Sequence, residues 1–313
     1  AGAPSLGSRS LGSRFRGPML PVHLLFFVAT AAGLRLTPPS MSSLVPRAGG
    51  RLLVVGGNGY AGREICRNAV SAGFKVTSLS RRGQNPLPND PLLTEVEWTA
   101  GNALDQATLN AAVGKADAVV HAIGLLFDAQ SGLAPLNNVV SGSKAAVDPE
   151  ESTYDNITRR TALNILRALK SKVSLPPALG GTPTPFVFVS CAEAGWVDGW
   201  TEGVRFGETV DAAAPEWLQR YLAAKRAVEA ELQSSAGQVR PIVLRPSLIW
   251  SWDKLDVLPA IPIFNLASAI GVPFVDKTVR VETLGKAAVS GLLDPSVSGV
   301  QRVERMEELA SAL

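Results

Sequence analysis

Tyr221 and Lys225 stand four residues apart in the run Tyr221-Leu222-Ala223-Ala224-Lys225. On a helix that spacing puts a phenol and an ammonium on one face. The ammonium favours phenolate and lowers the tyrosine's pKa toward working pH, so the pair suits proton exchange with a carbonyl or an alcohol. An ordinary amphipathic helix with a rim tyrosine and a solvated lysine carries the same pattern. Ser190, at the end of the apolar run Phe186–Val189, offers a hydroxyl to the same chemistry. A second set of residues suits a pyrophosphate: Gly56-Gly57-Asn58-Gly59-Tyr60-Ala61-Gly62. Its glycines at 56, 59 and 62 permit, in turn, a tight exit from a strand, close approach of backbone to the ligand, and close packing of helix on sheet. A third set, Ser80-Arg81-Arg82-Gly83, joins a hydroxyl to two planar forks that can bind phosphate oxygens bidentately.

Each set needs an element to hold it. Leu52–Val55 is a short apolar run, Arg63–Ala72 has helical period, and Phe74–Leu79 returns as a strand. The glycine turn therefore lies inside one βαβ unit, the context a dinucleotide-binding turn requires, with the N–H groups of the helix start facing the phosphates. A basic rather than acidic end to the second strand accommodates a ribose 2′-phosphate, which predicts NADP(H) in preference to NAD(H). Further on, the pattern predicts a strand at Glu95–Thr99, a helix at Gln106–Val113 capped by Asp105, and a buried strand at Ala118–Ala122. It then predicts a helix capped by Ser152 that turns Ile157, Leu163, Ile165, Leu166 and Leu169 to the sheet, a strand at Phe186–Val189, a helix at Pro215–Ser234 and a strand at Pro241–Arg245. The end reads as a strand near Val279–Val281, a helix at Thr283–Leu293, a strand near Val300–Val303 and a short helix. Spans 84–93, 125–150 and 174–184 read as loops and a linker. Alternating strands and helices predict an α/β fold: a doubly wound parallel sheet with helices on both faces, in which ligands bind outside the carboxyl ends of the strands. That gathers Gly101, Asn102, His121, Ala122, Ile123, Gly124, Ser190 and Cys191 around one crevice with the glycine turn. Residues 191–216 and 246–278 read as a small substrate-side lobe.

The chain has 313 residues, 46 % of them hydrophobic, and a net charge of +3. That length fits one α/β domain with a leader and a small lobe. No acidic residue precedes Glu64, and residues 1–50 hold Arg9, Arg14, Arg16, Arg35 and Arg47; taking those five from the net +3 leaves −2. The basic balance belongs to the leader, so nothing points to nucleic acid. An acid-free, Ser- and Arg-rich start reads as a targeting segment, disordered or cleaved, and residues 1–50 are set apart from the domain at 51–313. Within it, Pro21–Leu34 is an apolar run too short for a comfortable membrane span. Either this is a mitochondrial presequence with an apolar extension, or a signal-peptide core followed by a plastid transit segment. Cys66 and Cys191 form no C-x-x-C pair and His23 and His121 lie far apart, so neither a disulfide framework nor a metal site is indicated.

The glycine turn, the Ser-Arg-Arg strand end, His121-Ala122-Ile123-Gly124, Tyr221 with Lys225, and Leu244-Arg245-Pro246-Ser247 together resemble the short-chain dehydrogenase/reductase superfamily, in its extended or atypical, epimerase/dehydratase-like branch. The resemblance runs from about residue 51 to the C-terminus. Within that branch, the stretches VVGGNGYAGREIC, VEWTAGN, VVHAIGLL, YLAAKRAVEAEL and RPIVLRPSLIW are similar to a mitochondrial short-chain-dehydrogenase-like protein of coenzyme Q biosynthesis, to the nucleotide-binding accessory subunit of respiratory complex I, and to related plastid proteins. The resemblance implies an NAD(P)-dependent oxidoreductase in or beside ubiquinone biosynthesis, with a lipophilic quinone-like substrate. Its alternative is a non-catalytic accessory or assembly subunit of a respiratory complex. It further implies Tyr221 as acid/base, Lys225 on the nicotinamide ribose, Ser190 as helper, peripheral contact with a membrane but no membrane-spanning helix in the mature chain, and a mitochondrial location, with the plastid second. Two positions depart from the family pattern. The family's catalytic hydroxyl lies just beyond the fifth strand, where its best match here is Ala192, and Asn102 stands where many relatives carry an acid near the adenine.

Overall fold

Alternation within the strands explains the architecture. In β1 (Arg51–Val55), Leu52 and Val54 turn to one core while Leu53 and Val55 turn to another, so the strand is buried on both faces. It is followed by α1 (Tyr60–Ser71), β2 (Lys75–Ser80), β3 (Glu97–Ala100), α2 (Gln106–Gly114) and β4 (Ala118–His121). Then come α3 (Thr161–Ser171), β5 (Thr184–Val189), α4 (Glu216–Ser234), β6 (Val239–Leu244), β7 (Ile249–Trp250), α5 (Ala260–Ala269), β8 (Val279–Arg280), α6 (Val281–Leu293), β9 (Gly299–Gln301) and α7 (Val303–Ser311). This computed structural model describes Gly2 and residues 49–137, 150–172, 182–197, 210, 212–252, 260–270 and 275–313. The expectations for residues 1–48 and most of the 174–184 linker lie outside the described residues.

Seven strands form one parallel sheet in the order β3-β2-β1-β4-β5-β6-β9, and β7 pairs with β8 in a separate parallel ribbon. The central register is Leu53↔Thr77 and Leu53↔Val119, then Val119↔Phe186 and Phe186↔Pro241. One face is covered by α1, α6 and α7, which bring Ile65, Leu284 and Met306 against Val54, Val120 and Val187. The other is covered by α2, α3 and α4, which bring Leu109, Ile165 and Val228 against Leu53, Phe186 and Phe188. Strand order reverses between β1 and β4, the point at which a crevice opens at the carboxyl ends of such a sheet. The expected doubly wound sheet is thus the observed one, and Leu52–Val55 is central in it.

Local side chains fix the ends of several elements. Asp105 caps α2 by accepting from the N–H groups of Ala107 and Thr108. The Arg240 guanidinium donates to the carbonyls of Gly291, Leu292, Asp294 and Val297, closing the carboxyl end of α6 with a cation where the helix dipole favours one. Three expectations shift. A 3-10 turn at Leu93–Glu95 occupies the start of the expected third strand, because Asp90 accepts from Leu92 N–H and Leu93 N–H and coils that segment. Thr153, not Ser152, caps the helical segment before α3: its Oγ1 accepts from Asn156 N–H at 3.2 Å. That segment opens with a wide π-helical stretch, Asp155–Arg160, which turns Ile157 to the crevice rather than to the sheet.

Candidate functional site

The crevice holds a cleft of about 850 Å³, counting space open to solvent. Gly56 floors it. Its φ is +94°, and a Cβ there would lie 2.9 Å from the carbonyl carbon of Ala122, so only glycine lets the β1 exit pass this close to the β4 exit. Gly62 packs α1 against the turn itself: a Cβ would come 2.1 Å from the Gly56 oxygen. Gly57 faces the other way, toward Ser78 and Cys66, and packs the loop rather than lining the cleft. α1 starts at Gly59 with no side-chain cap and no acid in its first turn, which leaves the positive end of its dipole uncompensated beside the cleft.

Of the residues expected around a cofactor, Gly56, Asn58, Gly59, Ser80, Arg81, Asn102, Ala122, Ile123 and Gly124 line the cleft. Ser80 Oγ accepts from Gly83 N–H at 3.1 Å and folds the Ser80–Gly83 turn back on β3, so Arg81 reaches the cleft wall. Arg82 is exposed beside it but lines nothing. Asn102 Oδ1 accepts from Leu104 N–H at 2.9 Å, which leaves its amide hydrogens for another acceptor. Tyr60 and Ala61 do not line the cleft, and burial raises the Tyr60 pKa. Sequence reasoning missed Glu151, Asn156, Ile157 and Thr161, which close the cleft from the α3 side. Thr161 Oγ1 donates to the Ile157 carbonyl at 2.5 Å, so its lone pair receives Nε2–H of His121 at 2.8 Å. His121 is fully buried at the end of β4, and burial with Lys225 nearby pushes its pKa down to about 3.

Tyr221 and Lys225 share one face of α4, as their spacing requires, but the electrostatics are the reverse of the expectation. Burial raises the Tyr221 pKa well above its ordinary value, and Cys191 and Glu193 push the same way. Lys225 is itself lowered by burial, and its Nζ donates to the Val189 carbonyl at 2.7 Å. The ammonium lies 5.5 Å over the Tyr221 ring and 5.1 Å over the Phe188 ring, beside the π-faces rather than toward the cleft. Tyr154 meets the Tyr221 ring edge-on at 5.4 Å and donates its own hydroxyl to the Leu126 carbonyl, shielding the pair.

Ser190 is also engaged. Its hydroxyl donates to Glu229, which Arg245 grips at 2.6 Å through Nη2 and at 3.2 Å to both oxygens through Nε. All three are buried, so this is a closed polar network tying the ends of β5 and β6 to α4. Ala192 donates its N–H to the Pro246 carbonyl, and its side chain is buried. The residue beside Tyr221 is Cys191, which packs with Tyr221 and Leu222, and half-buried Glu193 follows two residues on. Burial pushes the thiol up to about 12 and raises the Glu193 carboxyl. No sequence signal marks which of the two adjacent side chains lies beside Tyr221.

The chain belongs to the NAD dependent epimerase/dehydratase family, whose model matches residues 52–254. It is 23% identical over 290 residues to the Saccharomyces cerevisiae protein named MIOREX complex component 2, a match covering 82% of this chain and 98% of that one. It is 40% identical over 78 residues to an uncharacterized chloroplastic protein of Arabidopsis thaliana, covering 24% of each. Among solved structures, it is similar to the Bordetella bronchiseptica enzyme WbmF in complex with NAD+, with a TM-score of 0.51 and 16% identity, covering 84% of this chain and 77% of that one.

Proposed function

From membership of this family we propose that the chain binds NADP(H) and acts as a reductase of a carbonyl or quinone-like substrate, in or beside quinone biosynthesis. The observation that carries the reading is Tyr221 packed beside Cys191 just past β5, with Lys225 one turn away. A protonated phenol can donate to a substrate oxygen, which is the reducing direction. The cleft suits the cofactor: the Gly56 cradle that a Cβ would fill and the uncapped start of α1 suit a pyrophosphate, and Arg81 suits a 2′-phosphate, with Asn102 beside the adenine. A bound reduced nicotinamide supplies hydride. Tyr221 then delivers its proton to the substrate oxygen, Cys191 orients the phenol in place of the usual hydroxyl, and Lys225 steadies the charge left on Tyr221. Residues 191–216 and 246–278 are proposed as the substrate side, and residues 1–50 as an organelle-targeting leader. The family resemblance favours the mitochondrion, and the Arabidopsis relative's chloroplastic name favours the plastid; import of residues 1–50 fused to a fluorescent reporter separates them.

A second reading is a nucleotide-binding subunit of a larger complex without turnover. It is favoured by the internal engagement of Ser190 and Lys225 and by the yeast relative, named as a complex component along 98% of its length. One experiment tests both: calorimetric titration with NADPH and NADH, then NADPH oxidation in the presence of a short-chain ubiquinone analogue, for the unmutated protein and Tyr221→Phe. The reductase reading expects both proteins to bind NADPH and only the first to consume it. Binding without consumption by either supports the complex-subunit reading, and equal affinity for the two cofactors refutes the NADP(H) preference.

A further inference from the structure

Helix α5 presents its apolar side to solvent. Pro262, Ile263, Leu266, Ala269 and Ile270 are its exposed residues, with Ile263 68%, Leu266 64% and Ile270 70% accessible. Their spacing puts them in one stripe along the helix. No charged residue occurs from Ala260 to Ile270. The polar Asn265 points the other way, its Oδ1 accepting from Thr278 N–H and Thr278 Oγ1, both at 2.9 Å, which fastens the helix to the start of β8. A solvated surface helix has the opposite arrangement. The ribbon to which α5 is fastened leads into two indoles: Trp250 and Trp252 meet edge-to-face at 5.3 Å, Trp252 is 63% exposed, and the Arg280 guanidinium sits 5.7 Å over Trp250.

We propose that α5 and Trp252 form a docking face for a lipid bilayer, with the helix lying in the plane of the interface. Three exposed aliphatic side chains and one indole amount to an area on the order of 500 Å², at the upper end of what a monomer exposes without function. That falls short of the ~800 Å² per partner of a stable protein dimer. A bilayer sets no such minimum area, and indole with guanidinium suits the headgroup level. At ten residues α5 extends about 15 Å, and no described helix is long and apolar enough to cross a membrane, so the helix lies on the surface. Among the described residues the neighbouring cations are paired, Lys277 with Glu307, Arg280 with Glu282 and Arg302 with Asp276, so apolar contact rather than attraction to anionic lipid drives the binding.

The test uses the full chain with brominated phosphatidylcholine vesicles, which quench indoles that reach the bilayer. Residues 1–50 contain no tryptophan, so the leader cannot produce the signal. The unmutated protein is expected to show quenching that persists when sodium chloride is raised and shrinks in Trp252→Phe. The triple variant Ile263→Ser, Leu266→Ser, Ile270→Ser is expected to lower the vesicle partition coefficient about tenfold or more with its thermal midpoint kept. Val300→Ser, at an exposed apolar residue of β9, is expected to change nothing. Absence of quenching, a triple variant that partitions like the unmutated protein, binding abolished by salt, or a concentration-dependent dimer that the triple variant dissolves would each overturn the proposal.

Discussion

His121 makes the fold sensitive to acid in a way that can be isolated. The imidazole is fully buried at the end of β4, hydrogen-bonded through Nε2 to Thr161 and close to Lys225, and its pKa falls from 6.5 to about 3. Its folded-state pKa lies below the unfolded one, so the unfolded chain binds the extra proton first as pH falls. The stability is fully present above 6.5 and is lost progressively between 6.5 and about 3. At about pH 4.5 the loss from this one group is about 3 kcal/mol. Any folded-state value below about 4 gives nearly the same figure, because at that pH the buried ring is still mostly neutral. The comparison is with His121→Gln, whose amide N–H can still reach Thr161 Oγ1 and which does not titrate. Urea unfolding of both proteins from about pH 7.5 to about pH 4.5 should show the unmutated protein losing about 2 to 3 kcal/mol more than the variant, the carboxylates common to both cancelling. Parallel stability curves, within about 0.5 kcal/mol, would refute the reasoning, since they would mean that His121 is solvated or already charged.

Arg81→Asp should weaken NADPH about tenfold to a hundredfold while leaving NADH little changed, as calorimetric titration would read, because it removes a charge-assisted contact from the wall that receives the 2′-phosphate. Gly62→Ala should lower stability by about 1 to 3 kcal/mol in denaturant titration and abolish nucleotide binding, since its Cβ meets the Gly56 oxygen at 2.1 Å and the Gly57 Cα at 2.8 Å, backbone atoms that cannot turn aside. Arg245→Met should cost about 3 kcal/mol or more by leaving buried Glu229 unpaired, and Arg245→Met with Glu229→Leu should recover most of it, both read from thermal midpoints.

The fold was legible because its signals are local and repeated. The two-residue alternation of Leu52–Val55 and Phe186–Val189 assigns each side chain to one of two cores, and that alone makes both strands central. The glycine turn was legible for a similar reason: Gly56 has positive φ and Gly62 has no room for a Cβ, constraints of backbone geometry that few other residues satisfy. Where boundaries slipped, a side chain competed with the regular element, as Asp90 does at the start of β3 and Thr153 does one residue past Ser152.

The chemistry was legible only as far as spacing carries it. Four residues on a helix bring Tyr221 and Lys225 to one face, but the sign of their effect on each other depends on what excludes water from both. That excluding shell comes from Tyr154, Cys191 and Phe188, residues 67 to 30 positions away in sequence and on three different elements. In water, the ammonium would lower the phenol's pKa; out of water, desolvation disfavours both charged forms, so Tyr221 rises and Lys225 falls together. The same shell decides between Ser190 and Cys191. Glu229 and Arg245 form a buried ion pair whose carboxylate lone pairs must be satisfied, and Ser190 is the nearest hydroxyl able to donate to one of them. With the serine drawn into that network, the position beside the phenol falls to the thiol, a weak donor.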